Sequence, residues 1–229
     1  MSNGTEVPDT NSIALYAAYV ESLRIHALTL IALGYERLTP ATFIAAEEDT
    51  ITGELTREMK AAMEEEMAPE WTQHYSVAEQ VRANTAGKEG KARPIVDIEF
   101  ERHKHGRRPR LRFEAKRLGA NHSAANYFGD GGLEAFVSGY YDRTHEDAGM
   151  LGYVQSHDEL KWAMKLSAES KRRTSALSII QEWSAFSQAG CPPYTYHTRH
   201  HDHSGADLDV FHVLLGFIYP AASPRATLV

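Results

Sequence analysis

Helical spacing of apolar residues dominates the first third of the chain. Residues 12–38 carry apolar side chains at this spacing, with Ser12 and Gly34 as start and stop signals, so we expect one long amphipathic helix. Two shorter helices are predicted at about 41–47 and 51–67. Residues 1–11 are polar and acidic, and we interpret them as a flexible tail.

The pattern changes to alternation from about residue 93. Strands are predicted at about 93–100 and 110–118, joined by a polar loop that contains Gly106 and Pro109. Residues 72–82 favour a strand and 119–132 a loop. Further elements are predicted in this order: a helix at 132–142, a strand at 149–155, a helix at 158–186, and strands at 194–199 and 207–218.

This order of elements predicts one α/β domain over residues 12–229. We expect a central mixed sheet flanked by helices, with a core at about 47–155 and a helical and hairpin extension at about 156–219. The chain has 229 residues, 42% of them hydrophobic and 24% charged, which excludes a disordered, collagen-like or disulfide-rich protein. No membrane span is expected, because the longest apolar stretches are far shorter than a bilayer requires. The single cysteine, Cys191, favours a reducing cytoplasm.

Positive charge is concentrated in the predicted hairpin. Residues 102–117 contain eight Lys or Arg and one acid, although the whole chain carries a net charge of −7. Such a cluster could attract a phosphate backbone, or it could only protect an edge strand from aggregation. The first interpretation makes DNA the expected partner, with five arginines as phosphate contacts: Arg107, Arg108, Arg110, Arg112 and Arg117.

Acidic and basic side chains on the same hairpin suggest phosphodiester chemistry. Asp97 lies on the first strand, while Glu114 and Lys116 are two residues apart on the second and therefore share a face. Carboxylates bind Mg²⁺, and a neighbouring lysine can stabilise developing negative charge. A hairpin symmetric about Gly106 would pair Asp97 with Ala115 and send it to the other face. The site therefore requires a bulge, an asymmetric loop or separated strands.

A family resemblance rests on these residues. The string Pro94-Ile-Val-Asp97, then sixteen residues, then Glu114-Ala-Lys116 resembles the PD-(D/E)xK nuclease superfamily, although its proline is not adjacent to the acid. Residues 113–118, 127–136 and 149–154 also resemble restriction-endonuclease-like proteins of bacterial defence or mobile-element systems. The resemblance covers about residues 93–155.

The resemblance implies a restriction-endonuclease-like core and a DNA endonuclease that depends on Mg²⁺, with Mn²⁺ as a substitute. Asp97 and Glu114 would then bind the metal and Lys116 would assist catalysis. The family often adds an acid from the first core helix, for which Glu48 is the candidate. Two alternatives stay open: an RNA nuclease, and a non-catalytic or partner-activated subunit of a multi-protein defence complex. A protein partner or a homo-oligomer is compatible with either.

The sequence also bears on two other kinds of site. A nucleotide cofactor is not expected, because no glycine-rich segment has the spacing of a phosphate-binding loop. A histidine-rich stretch near the end of the chain could bind a transition metal or form a polar hairpin tip. Its members are His197, His200, His201, Asp202, His203 and His212.

Overall fold

A seven-stranded mixed β-sheet with helices on both faces forms the α/β fold of this protein. The computed structural model describes residues 10–83, 87–103, 108–141 and 147–219. The α-helices are α1 (Thr10–Glu36), α2 (Glu48–Met63), α3 (Ala124–Phe128), α4 (Leu133–Val137) and α5 (Glu159–Arg172). The strands are β1 (Tyr75–Arg82), β2 (Ile95–Arg102), β3 (Arg110–Leu118), β4 (Asp147–Val154), β5 (Ile179–Ala185), β6 (Thr195–His201) and β7 (Asp207–Gly216).

The strand order is β1-β2-β3-β4-β7-β6-β5. Strand β4 lies in the middle, parallel to both β3 and β7, and the other neighbouring strands are antiparallel. Every residue of β4 is buried, as expected for a strand covered on both faces. The C-terminal part of the chain therefore supplies three strands of the same sheet.

Two apolar cores lie on opposite faces of the sheet. Helices α1 and α2 cover one face, where Ile31 and Leu55 pack with Phe113. Helices α3 to α5 cover the other face, where Tyr127 and Leu166 are fully buried. Burying one such side chain stabilises the fold by roughly 1.5 to 3 kcal/mol.

A close contact fixes helix α1 against helix α2. A Cβ atom at Gly34 would lie 2.6 Å from Cγ of Met59, so only glycine allows the two helices to approach this closely. Gly34 lies near the end of α1, as the sequence predicts, and α1 ends at Glu36. The role of Gly34 is packing, and this packing positions the start of α2.

Within the described residues, no helix is both long and apolar enough to cross a membrane.

Several predicted elements differ from the structure. The helix predicted at 158–186 is wrong in its second half, because α5 ends at Arg172 and β5 follows. Pairing with β6 prevails over local helical periodicity there. The predicted loop at 119–132 contains α3, whose first turn is capped by the Ser123 hydroxyl accepting from the Asn126 N–H. The helix predicted at 41–47 is a short 3₁₀ turn, Pro40–Phe43.

A buried hydrogen-bonded chain joins α3, β6 and β7. Because the Leu177 carbonyl only accepts, Nδ1 of His200 donates to it at 2.8 Å, and Nε2 then accepts from the Thr198 hydroxyl at 2.7 Å. Nε2 of His212 donates to Thr198 Oγ1 at 2.9 Å, which leaves Nδ1 to accept from the Tyr127 hydroxyl at 3.1 Å. Burial lowers the pKa of His200 to about 4 and that of His212 well below its usual value. Both imidazoles are therefore neutral at pH 7.

Replacing Thr198 with valine should destabilise the protein by about 2 to 6 kcal/mol. The substitution leaves one acceptor on His200 and one donor on His212 without a partner, and each unsatisfied buried group costs about 1 to 3 kcal/mol. Urea denaturation at pH 7 measures the change. Thr50→Val, at an exposed position of α2, is the control and should shift stability by less than about 0.5 kcal/mol. Equal stability of the two variants would contradict this network.

Candidate active site

Strands β2 and β3 pair in a register that, continued by one residue past Ile98 and Phe113, places Asp97 opposite Glu114. The ladder runs from Ile98 with Phe113 to Glu101 with Arg110. This register is offset by one residue from a hairpin symmetric about Gly106, which would pair Asp97 with Ala115. The offset is the asymmetry that Asp97 needs to share a face with Glu114 and Lys116. Part of the connecting loop, 104–107, lies outside the described residues.

Carboxylates replace backbone acceptors where the two strands separate. The Ala115 N–H donates to Oδ2 of Asp97 at 2.7 Å, and the Arg117 N–H donates to Oε2 of Glu48 at 3.0 Å. Residues two apart on a strand direct their N–H groups to the same side, so both groups lie on the side of β3 that β2 has left. The separation of the strands thus draws two acids to one end of the hairpin.

Lys116 connects the acids of this site. Its Nζ lies 2.9 Å from Oε1 of Glu114 and 3.2 Å from Oε1 of Glu48, and it donates to the Ala115 carbonyl at 2.7 Å. Glu48 is the first residue of α2. The structure therefore brings together Asp97, Glu114, Lys116 and Glu48, all four of which the sequence singled out.

Burial and mutual repulsion perturb the two strand acids. Burial raises the pKa of Asp97 to about 6, against the opposing effects of the Ala115 N–H and Lys116. The pKa of Glu114 rises to about 7, mainly because of burial and then because of the charge on Asp97. Burial lowers the pKa of Lys116, but its ion pairs with Glu114 and Glu48 outweigh this, so its pKa is raised and the ammonium stays charged. The site therefore holds more negative than positive charge.

Two contacting residues were not predicted. The Tyr141 hydroxyl donates to Oε2 of Glu114 at 2.7 Å, and burial raises its pKa, so it stays a donor. Nε2 of Gln80 lies 3.4 Å from Oδ1 of Asp97, and Gln80 has a φ of 53°, rare for a non-glycine residue. No local pattern marks Tyr141, which is 27 residues from Glu114.

The donor set suits a hard divalent cation. Asp97 and Glu114 present buried carboxylates on neighbouring strands, and Mg²⁺ is commonly bound through one or two carboxylates, with waters and substrate phosphates completing its shell. In the described ranges, no group of three or more His, Cys, Asp or Glu is placed to hold a metal ion. Of the described part of the chain, Asp97 and Glu114 would supply the protein ligands of Mg²⁺, with solvent or substrate completing its shell.

The predicted arginine contacts are paired with acids. Arg108 and Arg110 lie 2.9 and 2.7 Å from Glu101. Their role as phosphate contacts stays a prediction, because an exposed ion pair is weak and a phosphate could replace the acid.

The other arginines are also engaged. Arg112 lies 2.8 Å from Glu99 with a side chain only 8% exposed, and Arg117 lies 2.6 Å from Glu47. Arg107 lies outside the described residues. Each of the four described arginines that were predicted to contact DNA is therefore paired with an acid.

The histidine-rich stretch is divided among separate contacts. His200 and His212 belong to the buried chain described above. His197 lies 2.6 Å from Asp209, and His201 lies 3.2 Å from Asp207. These contacts favour a polar hairpin tip over a transition-metal site in the histidine-rich stretch.

Comparison with known proteins finds no matching family model, curated protein or solved structure.

Replacing Glu114 with glutamine should stabilise the metal-free protein at alkaline pH. Because the folded-state pKa of Glu114 is raised to about 7 from 4.5, its ionisation opposes folding above pH 7, and this penalty disappears as the pH falls towards 4.5. At pH 8 the variant should be more stable by about 1 to 3 kcal/mol. At pH 4.5 the two proteins should be nearly equal.

Urea denaturation in EDTA measures this difference at both pH values. Glu66→Gln, which removes an exposed carboxylate after α2, is the matched control and should show no such pH dependence. A Glu114→Gln protein that is less stable than the wild type at pH 8 would contradict the electrostatic account.

Proposed function

We propose that this protein is a Mg²⁺-dependent endonuclease that hydrolyses DNA phosphodiester bonds, built on a restriction-endonuclease-like core. The observation that carries the proposal is the meeting of Asp97, Glu114, Lys116 and Glu48 where β2 and β3 separate. A spacing of residues that resembles the PD-(D/E)xK superfamily accompanies this geometry. We extend the same proposal to a role in bacterial phage defence, on the resemblance alone.

Asp97 and Glu114 would hold the cation, Mg²⁺ or in its place Mn²⁺. Bound there, the ion would activate water and offset charge on the phosphate. Lys116 lies beside Glu114 with a charged ammonium, where it can orient a water and stabilise the negative charge that grows during attack. Glu48 accepts from both Lys116 and the Arg117 N–H, so it fixes the lysine relative to β3. Tyr141 restrains the second oxygen of Glu114.

Replacing Lys116 with alanine should reduce cleavage of supercoiled plasmid in Mg²⁺ by at least about 100-fold, because the charge that stabilises the transition state is lost. Nicking is followed on agarose gels, with EDTA as the blank. The affinity for uncleaved DNA in EDTA should change less than about twofold, because the lysine is half-buried and already paired.

Lys60→Ala, in the last turn of α2, is the control and should cleave like the wild type. Circular dichroism and thermal melting must show that Lys116→Ala is folded. Unchanged cleavage by a folded Lys116→Ala protein would contradict the proposed role. Parallel reactions with single-stranded DNA and with RNA test the substrate class. Cleavage of RNA alone would mean that the substrate is RNA and not DNA.

A partner-activated subunit is the second candidate, favoured by an apolar surface on α5 and β5. Leu160, Met164 and Ile180 are about half or more exposed. Two of them, Leu160 and Met164, line a cavity of about 380 Å³ together with Trp183 and Tyr196. Exposed apolar patches often mark protein contacts. A purified chain inert on every nucleic acid in Mg²⁺ and Mn²⁺, yet active when its partner is added, would select this candidate.

A further inference from the structure

We infer that a surface beside the acids, formed by Arg82, Lys88, Lys91 and Tyr140, binds a single strand of the DNA substrate. We call it the β1–β2 surface, because its cations lie at the end of β1 and in the connection to β2. The inference rests on the proposed function for the identity of its ligand. It assigns DNA binding to cations other than the arginines of the β2–β3 hairpin.

Cations on the β1–β2 surface have no carboxylate partner among the residues that the structure describes. Among the described residues, no acid lies within 4 Å of the charged nitrogens of Arg82, Lys88 or Lys91, whereas every described arginine predicted to bind DNA has one. Arg82 instead donates to the Lys91 and Arg93 carbonyls at 3.0 and 3.2 Å. Its guanidinium therefore stabilises the connection while keeping its full charge. Unpaired cations in an acidic protein provide charge complementarity for phosphates.

Three contacts in series connect Lys88 of this surface to the acid Glu114. Nζ of Lys88 lies 3.6 Å from the centre of the Tyr140 ring. The Tyr140 ring packs edge-on against Tyr141, with ring centres 5.5 Å apart. The Tyr141 hydroxyl in turn donates to Glu114 at 2.7 Å. A strand on the β1–β2 surface would therefore pass next to the proposed metal ligands.

Tyr140 supplies an aromatic contact, since 45% of its surface is exposed. Aromatic side chains stack on the bases of single strands with little sequence preference. In the free protein the Lys88 ammonium covers part of the ring. On binding, Lys88 would exchange the ring for a phosphate and leave the ring for a base. A phosphate contact and base stacking together are stronger than one exposed cation–π contact.

Binding of a fluorescent single-stranded oligonucleotide in EDTA tests this inference without cleavage. Fluorescence anisotropy gives Kd over a series of salt concentrations. The Lys88→Ala/Lys91→Ala protein should bind about tenfold more weakly, and its salt slope should fall by about 1.4, the value for two lost contacts on a single strand. Tyr140→Ala should weaken binding severalfold with little change of slope, because it removes stacking and no charge.

Lys161→Ala/Lys165→Ala is the matched control. It removes two cations from α5 that also have no carboxylate within 4 Å in the described part of the chain, one of them lying over a ring, Trp162. Its affinity should change less than about twofold. The inference would be overturned if both double variants weakened binding equally, if Lys88→Ala/Lys91→Ala bound like the wild type, or if the wild type bound no single strand.

Two further outcomes separate this inference from the proposed function. If the protein cleaves nothing but binds single strands through Lys88 and Lys91, the result supports DNA binding by the β1–β2 surface and contradicts the proposed nuclease activity. If Lys88→Ala/Lys91→Ala cleaves DNA like the wild type at low DNA concentration, the result supports the nuclease activity and overturns substrate binding by the β1–β2 surface. An RNA strand of the same sequence, bound more tightly than DNA, would overturn the assignment of the ligand to DNA.

Discussion

The separation of β2 and β3 after the Ile98–Phe113 pair is the constraint on which the site depends. Buried backbone N–H groups must find acceptors, since an unpaired one costs as much as a lost hydrogen bond. Here Asp97 and Glu48 accept from β3 in place of a neighbouring strand. These two hydrogen bonds pair the backbone N–H groups of β3 and also place two carboxylates in a partly buried site. The need to pair the backbone N–H groups of β3 therefore brings together carboxylates of the kind that bind metal ions.

The position of Glu48 depends on packing far from the acids. Glu48 begins α2, and α2 is fixed against α1 by the close approach at Gly34 and Met59. Its buried apolar face, which includes Ile51 and Leu55, packs on the sheet. A larger side chain at Gly34 would displace α2 and with it the carboxylate that holds Lys116. Helix packing and the electrostatics of the site are therefore coupled.

Sequence could predict the parts of this site that follow from local periodicity. Glu114 and Lys116 share a face because strands alternate, whereas Glu48 was a candidate because the family resemblance implies an acid at the first core helix. Tyr141 and Gln80 were missed because their contacts depend on tertiary placement that no spacing encodes. The sequence also does not show which acids pair with Arg112, Arg110 and Arg117, because Glu99, Glu101 and Glu47 lie opposite these arginines only after folding. Strand β5 was predicted as helix because its pairing with β6 is also non-local.

Mn²⁺ soaked into a crystal of this protein provides the decisive test of the metal site, because the anomalous signal locates the ion without assumptions about the reaction. We expect one strong peak coordinated directly by carboxylate oxygens of Asp97 and Glu114, next to the Lys116 ammonium. A peak only at other side chains, or continuous pairing of β2 and β3 that keeps the two acids apart, would contradict it.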